Sequence, residues 1–139
     1  MLRNDERKQK QNGFTFVELL VVIAIIGLLA SVVLLALNSA RAKSRDAKRL
    51  AEARAISTAQ VAYFDDQLPN AYATDITSLV TGGYLQTVPS YPQPIDGNCS
   101  LADYGMTTTA SSFEVTFCLG NGTGNVSEGT HTFTEGGLQ

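Results

Sequence analysis

From Leu19 to Leu37 the chain runs nineteen residues without a charged side chain. Coiled as a helix, that run spans about 28 Å, the thickness of a bilayer's hydrocarbon core. A water-soluble fold could hide such a helix only inside a large core, and roughly one hundred remaining residues cannot supply one. Beyond Leu37 the pattern becomes amphipathic. Ala47, Leu50, Ala53, Ile56, Ala59 and Tyr63 recur every three or four positions, while Arg41, Lys43, Arg45, Lys48, Arg49 and Arg54, with Asp46 and Glu52, fall on the polar face. One helix is therefore predicted from Phe14 to Phe64, about 75 Å long if unbroken, with the stop at Asp65-Asp66-Gln67-Leu68-Pro69-Asn70.

The remainder is patterned differently. Thr74-Asp75 ahead of Ile76, Leu79 and Val80, closed by Gly82-Gly83, predicts a short capped helix. Pro89, Pro92 and Pro94 mark an extended connection. Phe113, Val115, Phe117 and Leu119 alternate with polar neighbours and predict a half-buried strand. Tyr104–Thr109 can pair with it across Ala110-Ser111-Ser112, Gly120–Asn125 reads as a turn, and Thr130–Thr134 offers a third strand. The expected fold is α+β, a long N-terminal helical spine carrying a small antiparallel β-sheet head.

Charge divides the chain more sharply than its net −3 suggests. Residues 1–54 hold all ten Lys and Arg against five acids, net +5, and residues 55–139 hold eight acids and no cation besides His131. A P-loop, a Schiff-base lysine, an arginine clamp or a multi-histidine metal site cannot be built in that second part, and nucleic acid is no natural partner for it. No catalytic residue, cofactor site or metal site is expected.

The junction at Gly13 carries the most specific signal. Lys10-Gln11-Asn12-Gly13 is followed by Phe14-Thr15-Phe16-Val17-Glu18 and then the apolar run. A short basic leader, a Gly before a Phe, a Glu four residues on and an uninterrupted apolar helix together resemble the class III signal of type IV pilins and pseudopilins. The resemblance covers about the first forty residues. It implies cleavage between Gly13 and Phe14 by prepilin peptidase on the cytoplasmic side, methylation of the new Phe14 amine, and assembly by inner-membrane machinery into a helical homo-oligomeric filament. The implied organisation is a leader at 1–13, a membrane and filament-core helix at 14–37, its amphipathic continuation at 38–64, and a head at 65–139. A precursor in the inner membrane would become an extracellular pilus. A secretory signal fits less well, because the apolar run is long and Arg41 interrupts the Ala40-Arg41-Ala42 cleavage site.

The residues support the same reading by their chemistry. Gly13 can enter a protease cleft in extended geometry. Glu18 puts a carboxylate in a membrane segment at a cost of a few kcal/mol, more than its own helix dipole returns, and the Phe14 amine of a neighbouring copy would neutralise it. Gly27 and Ser31, four apart, allow close helix approach. Four cations precede the apolar run and six follow it; a positive-inside count alone would invert the topology that the processing motif requires.

Cys99 and Cys118, an even pair in an exported domain, are expected to form a disulfide. Asn98, Asn121 and Asn125 open Asn-x-Ser/Thr triplets, Asn121–Asn125 with Glu128 faintly suggests calcium, and His131 reads as an exposed strand residue. The Asp-Pro-Trp-Gly element expected of pseudopilins is replaced by Pro89-Ser90-Tyr91-Pro92, which favours a pilin over the major pseudopilin of a type II secretion system; a non-polymerising single-pass anchored binding domain is the other alternative. Arg45, Lys48, Arg49 and Arg54 are expected to meet Asp65, Asp66, Asp75 or Asp103 of neighbouring copies.

Overall fold

The computed structural model describes residues 13–139. Its elements are helices α1 (Phe16–Asp66) and α2 (Ile76–Thr81) and strands β1 (Gly105–Thr108), β2 (Phe113–Leu119), β3 (Gly129–Thr134) and β4 (Gly137–Leu138). The strands form one antiparallel sheet in the order β1-β2-β3-β4. The chain divides into two compact units after Leu37, and α1 contributes to both.

The unit ending at Leu37 is the apolar stretch of α1, with every described residue exposed. By length and composition it can cross a membrane. The helix begins at Phe16 rather than Phe14, because Thr15 acts as its N-cap and Glu18 completes the capping box. It ends at Asp66 rather than Phe64, and the Asn70 side chain donates to the Phe64 carbonyl in its last turn at 2.9 Å.

In the second unit, Ala53, Ile56 and Ala59 of α1 pack with Leu79 of α2, Tyr91, Tyr104, Phe133 and the inward side chains of β2, namely Phe113, Val115, Phe117 and Leu119. Burial of each large apolar side chain contributes about 1.5–3 kcal/mol. The strands fall where alternation places them; β4, two residues long, carried no periodic signal. Asp75 caps α2, accepting the Ser78 amide at 2.7 Å.

The face that α1 turns to the head departs from the predicted one. Ala47 is exposed, whereas Asp46, Arg49 and Gln60 are buried with no measurable solvent contact. The buried positions 42, 46, 49, 53, 56 and 60 still follow helical spacing. Three of them are polar because their partners are loop groups distant in sequence. Gln60 donates to the Ala73 carbonyl at 2.8 Å and accepts the Ala73 amide at 3.0 Å.

Cys99 and Cys118 are joined by a disulfide. Cys118 is buried too, although strand alternation places it on the face opposite Phe117 and Leu119. With no Lys or Arg after Arg54, trypsin will release residues 55–139 as one peptide that gains one hydrogen per sulfur on reduction, read by mass spectrometry. A bridge across 19 positions constrains the unfolded chain, so Cys118→Ser will cost about 3 kcal/mol in denaturant unfolding of the detergent-solubilised chain.

Candidate processing and assembly site

The N-terminal segment is built locally. Glu18 Oε2 accepts the Thr15 amide at 2.8 Å and the Thr15 hydroxyl at 2.9 Å, and the Thr15 Oγ1 accepts the Glu18 amide at 3.2 Å. Thr15-x-x-Glu18 is a capping pattern legible in the sequence, and it places Thr15 beside Glu18 as a functional neighbour that the sequence reading did not single out. Gly13 and Phe14 lie ahead of the helix and are exposed. The leader cations Arg3, Arg7, Lys8 and Lys10 lie outside the described residues. Gly27 has open space where a Cβ would stand, and Ser31 donates to the Leu28 carbonyl at 2.7 Å, so the hydroxyl is satisfied within its own helix. Both are exposed.

The second unit contains a buried polar clasp. Arg49 donates to Asp46 Oδ1 at 2.7 Å and to the carbonyls of Pro92 and Pro94 at 2.6 and 2.8 Å, with its guanidinium 5.0 Å from the Tyr91 ring centroid. Asp46 accepts the amides of Gly120 and Asn121 at 3.1 and 2.7 Å, at the end of β2. Arg45 grips Asp96 with two bonds, at 2.8 and 2.6 Å, and Arg49 approaches the same carboxylate at 3.4 Å. The Arg45 bonds, aided by Arg49, hold the Asp96 carboxyl below its usual range despite some desolvation. Alongside, Tyr91 donates to the Cys118 carbonyl at 2.8 Å and Tyr104 donates to Glu52 at 2.5 Å. Burial is the main reason both phenols titrate above their normal value.

This geometry corrects the expected intersubunit roles of Arg45 and Arg49. Both find carboxylates in their own chain, and the acid responsible, Asp96, was not among those named. Lys48 lies 3.6 Å from Glu52 as its four-residue spacing allows. Only a fold that returns the loop to the helix could reveal the rest. Gly97 and Gly120 permit that return, since a Cβ on either would overlap the other segment's backbone.

His131 lies on β3, partly rather than fully exposed, with Nε2 2.9 Å from the Ser127 carbonyl. Asn98, Asn121 and Asn125 are exposed. Among the described residues no three metal-ligating side chains converge.

A long apolar N-terminal helix opened by a Gly-Phe-Thr-Phe-Val-Glu junction, with a disulfide-bridged antiparallel sheet following it, defines a pilin-like α+β protein. The family model of the prokaryotic N-terminal methylation motif matches residues 8–34. Fimbrial protein EcpC of Eikenella corrodens is 38% identical over 85 residues, which is 58% of this chain and 55% of that protein. Fimbrial protein Q of Moraxella bovis is 39% identical over 80 residues, 52% and 51% of the two chains. The chain thus spans about half the length of the curated relatives it matches. No solved structure matches it. The chain carries the N-terminal methylation motif and is similar to fimbrial proteins over about half its length, and its apolar helix is long enough to cross a membrane.

Two predictions come from the clasp. Arg49→Met strands the buried Asp46 carboxylate and the Pro92 and Pro94 carbonyls, and will destabilise the folded chain by about 3–5 kcal/mol, measured by denaturant unfolding in detergent. Because Asp96 is held below its unfolded value of about 3.9, its stabilisation is present above that pH and is lost as pH falls through the folded value. Asp96→Asn will therefore lower stability at neutral pH and flatten its decline below about pH 4.

Proposed function

We propose that this chain is the structural subunit of a type IV pilus, without catalysis of its own. Prepilin peptidase cuts between Gly13 and Phe14, leaving 126 of the 139 residues, and the Phe14 amine is methylated. The subunit waits in the inner membrane through residues 14–37 and is polymerised by the assembly machinery through the same segment. The observation that carries this reading is the match of residues 8–34 to the methylation motif, directly followed by an apolar helix whose described residues are all exposed.

The physical logic is one of exchange. In a bilayer, lipid covers the apolar face of residues 19–37; in a filament, neighbouring copies cover it. Lipid tails give no hydrophobic drive to helix association, so close packing at Gly27 and Ser31 and a polar contact at Glu18 would supply the difference. Thr15 gives Glu18 two donors in its own chain, which orient the carboxylate without removing its charge. A methylated Phe14 ammonium from the next copy would remove it, and the few kcal/mol that the membrane charges for an ionised acid would favour assembly.

Intact-mass analysis of surface-sheared material tests the processing. It should show residues 1–13 absent and one methyl group on Phe14, in filaments visible by electron microscopy. A mature chain starting at Met1 or after Ala42 overturns the reading. Glu18→Ala should abolish filaments while leaving membrane-inserted subunit at normal abundance, judged by immunoblot of membranes.

A further inference from the structure

Once Arg45, Arg49 and Lys48 are matched to Asp96, Asp46 and Glu52, three cations of the second unit form no salt bridge among the described residues: Arg41, Lys43 and Arg54. Arg54 is set apart from the other two by its surroundings. Its guanidinium lies 6.0 Å from the Phe133 ring centroid, which gives an exposed side chain a platform. It also borders two grooves along α1. One, of ≈410 Å³, lies between the helix and the turn Thr123–Val126; the other, of ≈450 Å³, lies between the helix and Tyr84–Leu85. The helix positions between them and beside Arg54 are Ala47, Ala51, Ala55 and Ala62, short enough for another helix to approach at the small end of the usual 8–10 Å interaxial range.

Exposed carboxylates stand at the far end of the same helix. Among the described residues Asp66 accepts a phenolic bond, from Tyr84 at 3.0 Å, and neither it nor Asp65 is in a salt bridge. Arg54 and Asp66 are separated by about 18 Å along the helix and about 120° around it. That angular offset matters. A contact that repeats between parallel copies must be heterologous, one patch against a different patch, because a single face used in both directions closes a pair and stops. Arg54 and Asp65 lie about 20° apart in azimuth and so share a face; Arg54 and Asp66 do not.

We propose that the Arg54 grooves receive the Asp66 end of α1 from a second copy of this chain, in parallel and displaced along the axis, so that the Arg54–Asp66 pair sets the register of the repeating contact. The proposal rests on the reading of the chain as a polymerising subunit and names the surface by which the second unit takes part. Displaced this way, Lys43 of one copy comes within about 1.5 Å of level with Arg54 of the next, and it is the 120° offset between Arg54 and Asp66 that turns that second Arg54 away from the contact.

The test uses charge exchange in the full chain. Arg54→Glu and Asp66→Arg should each lower sheared filament yield by about tenfold or more through like-charge opposition, with disulfide-bonded subunit in the membrane at wild-type abundance. The double exchange Arg54→Glu/Asp66→Arg should restore the yield. In parallel, a chain carrying Arg54→Cys and Asp66→Cys, treated with a short bis-maleimide, should give a ladder of covalent multimers that neither single cysteine variant gives. Normal filaments from the single reversals, or failure of the double exchange to restore them, overturn the proposal. A ladder without wild-type filaments would uphold the contact while removing the pilus reading. Filaments without a ladder would remove the contact and leave that reading standing, and absence of both removes both.

Discussion

The guanidinium of Arg49 is the point on which the second unit converges. It is buried, and its charge is balanced by Asp46 one helical turn earlier on the same helix. Its Nη2 reaches the carbonyls of Pro92 and Pro94, in a stretch that has no ladder of its own, while its Nε has no partner among the described residues. A buried ion pair adds little net stability, since desolvation consumes most of the Coulomb gain. Its value here is specificity. A loop of prolines and glycines has many conformations of similar energy, and the conformation that presents two carbonyls to Arg49 and a carboxylate to Arg45 is the one that leaves these buried charges matched.

Everything around the clasp depends on that choice of loop path. With residues 91–99 in place, Tyr91 can bond both backbone groups of Cys118, Gly97 can lie against Gly120, and Cys99 can reach Cys118. Asp46 holds the opposite side of the same junction through the amides of Gly120 and Asn121. A sheet of four short strands has little apolar area with which to hold itself. Cross-links, covalent and polar, concentrate where the sheet's longest strand ends, and they tie it to the helix and the loop at once.

The clasp also changes how the basic segment is understood. Six cations follow the apolar run, a density that as bare sequence would favour the cytoplasmic side of a membrane. In the folded unit Arg45 and Arg49 are committed to carboxylates and Lys48 has Glu52 nearby. Among the described residues the segment therefore presents three unmatched cations rather than six.

What the sequence determined was periodic or local. The nineteen-residue uncharged run, the Gly13-Phe14 junction with Glu18, the capped helix after Asp75 and the alternation of β2 could all be read because each depends on residues within one or two turns of each other. Even the N-cap at Thr15 was legible, in the spacing of Thr15 and Glu18. The tertiary structure decided which polar residues are buried. Asp46 and Arg49 looked like members of a solvated face and Gln60 carried no signal, because helical periodicity reports where a side chain points and says nothing of whether a partner is waiting there. Their partners are backbone groups of residues 73, 92, 94, 120 and 121. Every residue has such groups, so no side-chain pattern marks them, and only the path of the folded loop brings them to the helix.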